Sequence, residues 1–381
     1  MYIFLVTGEP SGDLHGAHLA AALRALAPDC RLRGAGGPRM AAAGVELVAR
    51  SEHWGAMGIP EALRKVPGLL WHKARLTRLL TADPPDVLVT VDFGAFNVRL
   101  LRGLRGAGLK TVYYIPPGCW SRTRPAGDLP SLVDAVATPF PWSAATLRAA
   151  GMRAEWVGHP IRDYCRLTIF REEARRALGL DDRRPTVAIV PGSRRAELRH
   201  LLPVFLAAAR RLPAPHVLLT VAPSLGEAAV RAAVPSDLDV RYLDGMDYDR
   251  LQAADAALVT SGTATLEVAC AGVPMVVAYR ASVAAYLQYL LLLRGRLGHI
   301  ALPNILADAP VVPELLQDDA TPDALAAALT PLLADAPARH AQLAAFARIR
   351  DSLGDGGAVE NTARLVLEVA GALPKDSASP A

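Results

Sequence analysis

Tyr2-Ile3-Phe4-Leu5-Val6-Thr7 runs straight into Gly8-Glu9-Pro10-Ser11-Gly12-Asp13. An apolar run, a glycine turn and a helix-forming stretch over about residues 12–26 read as strand, turn and helix. Glycines in the turn let the backbone bend sharply and let a ligand come close. Ser11 or Asp13 can cap the helix that follows. The same residues also read as a plain strand-to-helix turn. The Gly-Lys-Ser/Thr ending of a P-loop is absent, and the dinucleotide fingerprint is incomplete.

Outward from this unit the pattern repeats. Residues 2–7, 87–91, 110–115 and 135–138 read as buried strands, and a weaker strand covers 31–33. The pattern restarts near residue 185, with strands at 186–190, 216–221, 240–242, 256–260 and 275–279. Helices are expected at 196–211, 224–233, 249–254 and 264–271. Strand alternating with helix predicts parallel sheets covered on both faces, so the chain is α/β with two doubly wound, Rossmann-like units. Their join falls in the turn-rich stretch 158–173. The expected division is 1–163 and 164–345, with the helical end, about 346–373, packing back on the first unit or on a partner chain. Ligands are expected in a cleft at the carboxyl ends of the strands. The tail 375–381 is small and polar and is expected to be disordered.

Composition narrows the function classes. The 381 residues can supply two cores. Four scattered cysteines give no metal spacing and no disulfide framework, which predicts reduced thiols in a cytoplasmic setting. Met1 leads directly into the first strand without a signal peptide. The apolar run 281–293, interrupted by Gln288, is shorter than the ~20 residues a bilayer needs. A net charge of +4 suits anionic substrates or an anionic membrane. Nucleic acid is not an expected partner, because no zinc finger, RNP motif or dense basic helix occurs.

Four further motifs follow strands. Gly34-Ala35-Gly36-Gly37-Pro38-Arg39-Met40 reads as a glycine turn with an arginine for an anion. Asp92-Phe93-Gly94-Ala95-Phe96-Asn97 puts an acid at the end of 87–91. That acid reads equally as a base whose pKa is raised by its surroundings and as a helix N-cap. Pro191-Gly192-Ser193-Arg194-Arg195-Ala196-Glu197 opens a helix whose N–H groups can meet phosphate oxygens, with Arg194 as a planar charged fork. Thr260-Ser261-Gly262-Thr263-Ala264-Thr265-Leu266-Glu267 offers N–H and hydroxyl donors to a diphosphate. Glu267 lies one turn on, where it can hold a ribose or serve as an imperfect capping-box partner of Thr263. Two phosphate-type turns in the second unit and an acid in the first follow the logic of a nucleotide-sugar transferase.

Taken together, these residues resemble the lipid-A-disaccharide synthase family, inverting transferases of the GT-B type. The resemblance runs from about residue 8 to 317. It is carried by Gly-Glu-Pro-Ser-Gly-Asp at 8–13, Gly-Gly-Pro-Arg-Met at 36–40, Met57-Gly58 with Glu61, Asp92 with Phe96-Asn97, and Pro117 with Trp120. In the second half it is carried by Pro-Gly-Ser-Arg at 191–194, Asp244-Gly245-Met246, Ser-Gly-Thr-Ala at 261–264 with Leu266-Glu267, Tyr279-Arg280, Leu302-Pro303-Asn304 and Pro313-Glu314-Leu315-Leu316-Gln317.

The resemblance implies transfer of 2,3-diacylglucosamine from UDP to 2,3-diacylglucosamine 1-phosphate, giving a β-1,6 disaccharide and UDP. It implies Asp92 as base and Arg194 at the leaving diphosphate. Ser193, Ser261, Gly262, Thr263, Glu267, Arg280, Asn304 and Glu314 would serve the UDP moiety. Ser11, Gly12, Asp13, Met57, Asn97 and Trp120 would serve the acceptor. It implies no metal and no cofactor. The expected partners are the UDP-linked donor, a glycolipid or lipid-phosphate acceptor, the inner face of the inner membrane and, as one arrangement, a second copy in a homodimer. The segment 283–293, flanked by Arg280, Arg294 and Arg296, reads either as a membrane-dipping helix or as a buried one.

Three positions depart from the family pattern, all in the first unit: Ala95 replaces an Asp, Arg122 a Trp, and Trp142-Ser143 an aromatic–Glu pair. The rival enzymes on this scaffold are a transferase with another lipid acceptor and a UDP-sugar 2-epimerase. A binding protein without chemistry is the rival of another class.

Overall fold

A computed structural model describes residues 1–51, 54–55, 58–123, 125–223, 225–280 and 298–374. They form two compact units, one of Met1–Asp163 with the chain from Asp355 onward, the other of Tyr164–Gly354.

In the first unit, strands β1 (Tyr2–Val6), β2 (Arg31–Gly36), β3 (Glu46–Arg50), β4 (Val87–Val91), β5 (Thr111–Tyr114), β6 (Ala135–Thr138) and β7 (Arg153–Trp156) form one sheet. Its order is β3-β2-β1-β4-β5-β6-β7, and neighbouring strands are parallel. Alternating side chains feed two cores, as the pleat requires. Ile3, Leu5, Val87 and Val89 pack with Leu19 and Leu23 of helix Pro10–Leu26 and with Ala363 and Val366 of helix Ala358–Ala370. Phe4, Val6, Leu88 and Tyr113 pack on the other face with Leu76 and Leu80 of helix Gly58–Ala82 and Leu100 of helix Gly94–Gly103.

The second unit repeats the plan. Strands β8 (Thr186–Val190), β9 (His216–Val221), β10 (Asp239–Asp244), β11 (Ala256–Thr260), β12 (Met275–Tyr279) and β13 (Glu314–Leu316) take the order β10-β9-β8-β11-β12-β13, again parallel. Val187, Ile189 and Leu258 meet Leu201 and Phe205 of helix Arg195–Ala209 and Leu325 and Leu329 of helix Pro322–Leu333. Ala188, Val190 and Val259 meet Val268 of helix Thr263–Cys270 and Phe346 of helix Pro337–Ser352. Both sheets reverse strand order once, at β1/β4 and at β8/β11. The crevice beyond the carboxyl ends at such a point is where doubly wound sheets bind ligands.

The sequence reading misses β3, β7 and β13, three edge strands whose side chains are mostly half-exposed and break the apolar run. It also ends β2 at residue 33 and takes 34–37 as a turn. Gly34 to Gly36 are strand instead. A Cβ on Gly34 would lie 2.1 Å from the Leu5 carbonyl oxygen, so this glycine serves close strand approach rather than turning. The stretch 283–293 and the tail 375–381 lie outside the described residues.

Candidate active site

In the first unit the site grows from the ends of β1 and β4. Asp92 and Phe93 follow β4 with φ of 48° and 43°, two successive left-handed residues that are not glycine. Each costs on the order of 1–3 kcal/mol and is kept only where the surroundings impose it. The surroundings are visible. The Asn97 amide donates to the carbonyls of Val91 at 3.1 Å and Asp92 at 2.8 Å, and the Tyr113 hydroxyl donates to Asp92 O at 2.7 Å. Asn97 is fully buried, so it shapes the turn from beneath. Gly8 makes room above: a Cβ there would strike the Phe93 ring at 1.8 Å.

The Asp92 carboxyl is pushed up to about 6, chiefly by burial and then by the charge of Glu9, against hydrogen bonds from the Phe93 amide and the Ser11 hydroxyl. Half of such groups are ionised near pH 6, which suits a base near neutrality. Asp13 takes another part. It leaves helix Pro10–Leu26 without a side-chain cap and accepts N–H groups of Gly37 at 2.8 Å, Arg39 at 3.0 Å and Met40 at 3.1 Å. It therefore caps the next helix, Pro38–Ala42, rather than its own. Gly12 packs its Cα close to Thr7 and Val91. Trp120 is half-buried on the loop after β5, and Met57 lies outside the described residues. Of the departing positions, Ala95 is exposed and Ser143 is buried, and Arg122 stacks 4.1 Å over the Trp142 ring.

In the second unit two turns meet at the β8/β11 reversal. The first expectation, that the N–H groups of Ser193 and Arg194 stand free for phosphate, needs correction. Glu197 Oε2 accepts both, at 3.0 and 3.1 Å, and its Oε1 accepts Arg194 Nη1 at 2.9 Å. Helix Arg195–Ala209 thus holds its entry turn with its own buried carboxylate. Gly192, at φ 97°, allows this, since a Cβ there would lie 2.1 Å from Glu197 Oε2.

The second turn is the more open. Gly262 and Thr263 are exposed at the start of helix Thr263–Cys270, whose first N–H groups have no intrahelical acceptor. Ser261 Oγ donates to Ile300 O at 2.9 Å, and Thr265 Oγ1 accepts from Leu302 N at 3.2 Å. Glu314 accepts N–H groups of Ile300 and Ala301 at 3.1 and 2.8 Å. Asn304, almost fully buried, donates to Glu314 and to Val312 O at 2.9 Å each. Asn304 and Glu314 are therefore struts behind the turn. Arg280 donates its Nε to Gln317 O at 3.1 Å. Glu267, buried on the same helix, accepts the Tyr248 hydroxyl at 2.7 Å. Burial and the Glu267 charge push the Tyr248 pKa far upward, so the phenol stays a donor.

The model of the lipid-A-disaccharide synthetase family matches residues 3–364. The chain belongs to the lipid-A-disaccharide synthase family. It is thereby an enzyme, a glycosyltransferase of the GT-B type. The lipid-A-disaccharide synthase of Geobacter metallireducens is 39% identical over 97% of each chain, and that of Anaeromyxobacter dehalogenans (strain 2CP-C) is 40% identical over 96% of this chain and 97% of its own. Two solved structures share the fold. MurG of Acinetobacter baumannii has a TM-score of 0.56 at 17% identity, covering 96% of this chain and 99% of its own. MnaA of S. aureus with UDP has a TM-score of 0.66 at 10% identity over the full length of both.

For a member of the lipid-A-disaccharide synthase family, the sequence reading assigns no role to Glu9, Tyr248 or Glu197. Glu9 and Glu197 stand within quoted motifs, and the Arg194-x-x-Glu197 spacing of a capping box is legible. Tyr248 lies 19 residues from Glu267, and no local pattern links the two.

Proposed function

We propose that the protein moves a 2,3-diacylglucosamine unit from UDP to the 6-hydroxyl of 2,3-diacylglucosamine 1-phosphate, with inversion at the anomeric carbon. Asp92 takes the hydroxyl proton as the acceptor oxygen bonds to the anomeric carbon, and the bond from that carbon to UDP breaks. Arg194 meets the charge that develops on the diphosphate. Ser193, Ser261, Gly262 and Thr263 line its turns, Arg280 follows β12, the strand paired with β11, and Glu267 holds the ribose. Protein donors supply the charge stabilisation, so the reaction runs without a metal.

The observation that carries this reading is the strained, desolvated Asp92 at the end of β4, with a pKa of about 6. UDP release by purified protein tests it, with UDP-diacylglucosamine present and the acceptor added or withheld. Acceptor-dependent release that vanishes in Asp92→Ala supports both the transfer and the base. Release without acceptor points to hydrolysis and sinks the transfer reading.

The reading includes a membrane surface as the source of both lipids. No described helix is long and apolar enough to cross a bilayer. Helix Gly58–Ala82 instead carries Leu63, Val66, Leu70 and Trp71 at 64%, 41%, 55% and 58% exposure. Arg64, Lys73 and Arg75 lie on the same stretch, with Arg75 over the Trp71 ring at 5.5 Å. Aromatic and leucine side chains beside cations suit an anionic lipid interface. Leu70→Ser with Trp71→Ser should release the protein from phosphatidylglycerol vesicles in a sedimentation assay. Unchanged sedimentation would remove this helix from the account.

A further inference from the structure

Beyond β5 the chain folds over helices Gly94–Gly103 and Pro141–Ala149 and leaves a cavity of about 310 Å³. Of the motifs discussed above, it is lined by Pro117 and by Ser143, to which no role has been given. It lies near the base: Pro117, on its wall, packs so tightly against Gly94 that a Cβ there would sit 2.3 Å from Pro117 Cβ. Gly94 is two residues from Asp92.

The chemistry of the lining narrows the occupant. Val98, Pro116, Leu129 and Leu147 give apolar stretches of wall, and Ser121, Ser143 and Thr146 set hydroxyls beside them. The charged residues among the described lining are Arg102 and Asp128, and they satisfy each other through two bonds of 2.6 and 2.9 Å. A phosphate would therefore have to break an existing pair to gain a cation. The wall is also braced from behind. The Trp142 indole donates to Cys119 O at 2.9 Å and the ring stacks on Phe140 at 4.8 Å, with Arg122 over it. Because the charges in the lining neutralise each other, the cavity favours an uncharged occupant, and the apolar stretches of its wall suit a hydrocarbon chain better than a charged head.

We propose that this cavity receives one acyl chain of the acceptor and so sets its chain-length preference. The proposal rests on the reading of the acceptor as a diacylated amino sugar. At the ~30 Å³ that a water-sized group occupies in a liquid, the cavity holds roughly ten methylene groups. Each methylene withdrawn from water strengthens binding about 3- to 4-fold.

Acceptors carrying acyl chains of two to fourteen carbons are compared with a constant donor, following UDP release. The wild-type KM for acceptor should fall steeply with length and level off near ten carbons. Val98→Phe and Thr146→Phe, on two different helices of the lining, should raise KM at least 10-fold for long chains and leave the two-carbon acceptor and the donor KM unchanged. Leu147→Ala, which widens the cavity, should move the plateau to longer chains, and it guards against a filled variant that does not fold. A KM independent of chain length, or variants that lose all acceptors equally, overturns the cavity assignment while UDP release still upholds the transfer. A length dependence that follows the donor's chains overturns the acceptor assignment. No release with any acceptor overturns the proposal together with the functional reading.

Discussion

The two units place polar groups at equivalent points of one topology and use their acids in opposite ways. At the end of β4, Asp92 is half-buried beside Glu9, and its carboxyl is held up near 6. In the turn after β8, Glu197 is the more deeply buried of the two but accepts three donors from its own turn. Glu314 likewise accepts Ile300, Ala301 and Asn304. A carboxylate drawn out of water and close to a like charge becomes a proton acceptor of useful strength even with two hydrogen bonds. A carboxylate rich in donors becomes a strut.

The sharpest way to break this comparison is Asp92→Asn. Acceptor-dependent UDP release should drop about 10²- to 10⁴-fold, the range for a lost general base. The same variant should be more stable at pH 7, not less. The folded Asp92 pKa is raised, so the stability it lends is complete below its unfolded value and is lost as pH rises through about 6. Removing the charge should recover about 1–3 kcal/mol in urea titration at pH 7, and the gain should vanish near pH 4. Loss of stability at both pH values would mean the carboxylate is a strut after all.

Arg194→Ala should lower kcat about 10²-fold through the lost charge at the diphosphate, read in single-turnover UDP release. Tyr248→Phe removes one donor from buried Glu267 and should raise the donor KM about 10-fold, the ~1–2 kcal/mol typical of an orphaned buried acceptor. It should leave the acceptor KM in place. The smallest effect is the most diagnostic. The kcat/KM profile should rise with pH through about 6, and Glu9→Gln should move that limb to lower pH, because a like charge no longer opposes ionisation. A limb that stays put would assign the raised pKa to burial alone.

The core strands were legible because both faces are covered, leaving unbroken apolar runs such as Val87–Val91 and Thr186–Val190. Their boundaries follow directly from where the run ends. Strands β3, β7 and β13 escaped because edges mix polar and apolar residues. The site was legible as a set of positions, since each motif directly follows a strand. Partners within it were not. Nothing local says that Asp13 would cap a helix 25 residues on or that Asn304 would brace Glu314. Those depend on three-dimensional proximity, and chain spacing encodes a partner only in the Arg194-x-x-Glu197 capping box.

The last long helix has a consequence for how the molecule comes into being. Ala358–Ala370 covers the Ile3, Leu5 and Val89 face of the first sheet, yet all of Tyr164–Gly354 is made before it. At roughly 5–20 residues per second, a ribosome takes on the order of 10–40 s to cross that interval. Through it the nascent chain carries a sheet whose apolar face has helix Pro10–Leu26 on it but still lacks this second helix. The first unit closes only when the second has already emerged, so early termination anywhere after residue 163 yields a chain with its oldest core still open.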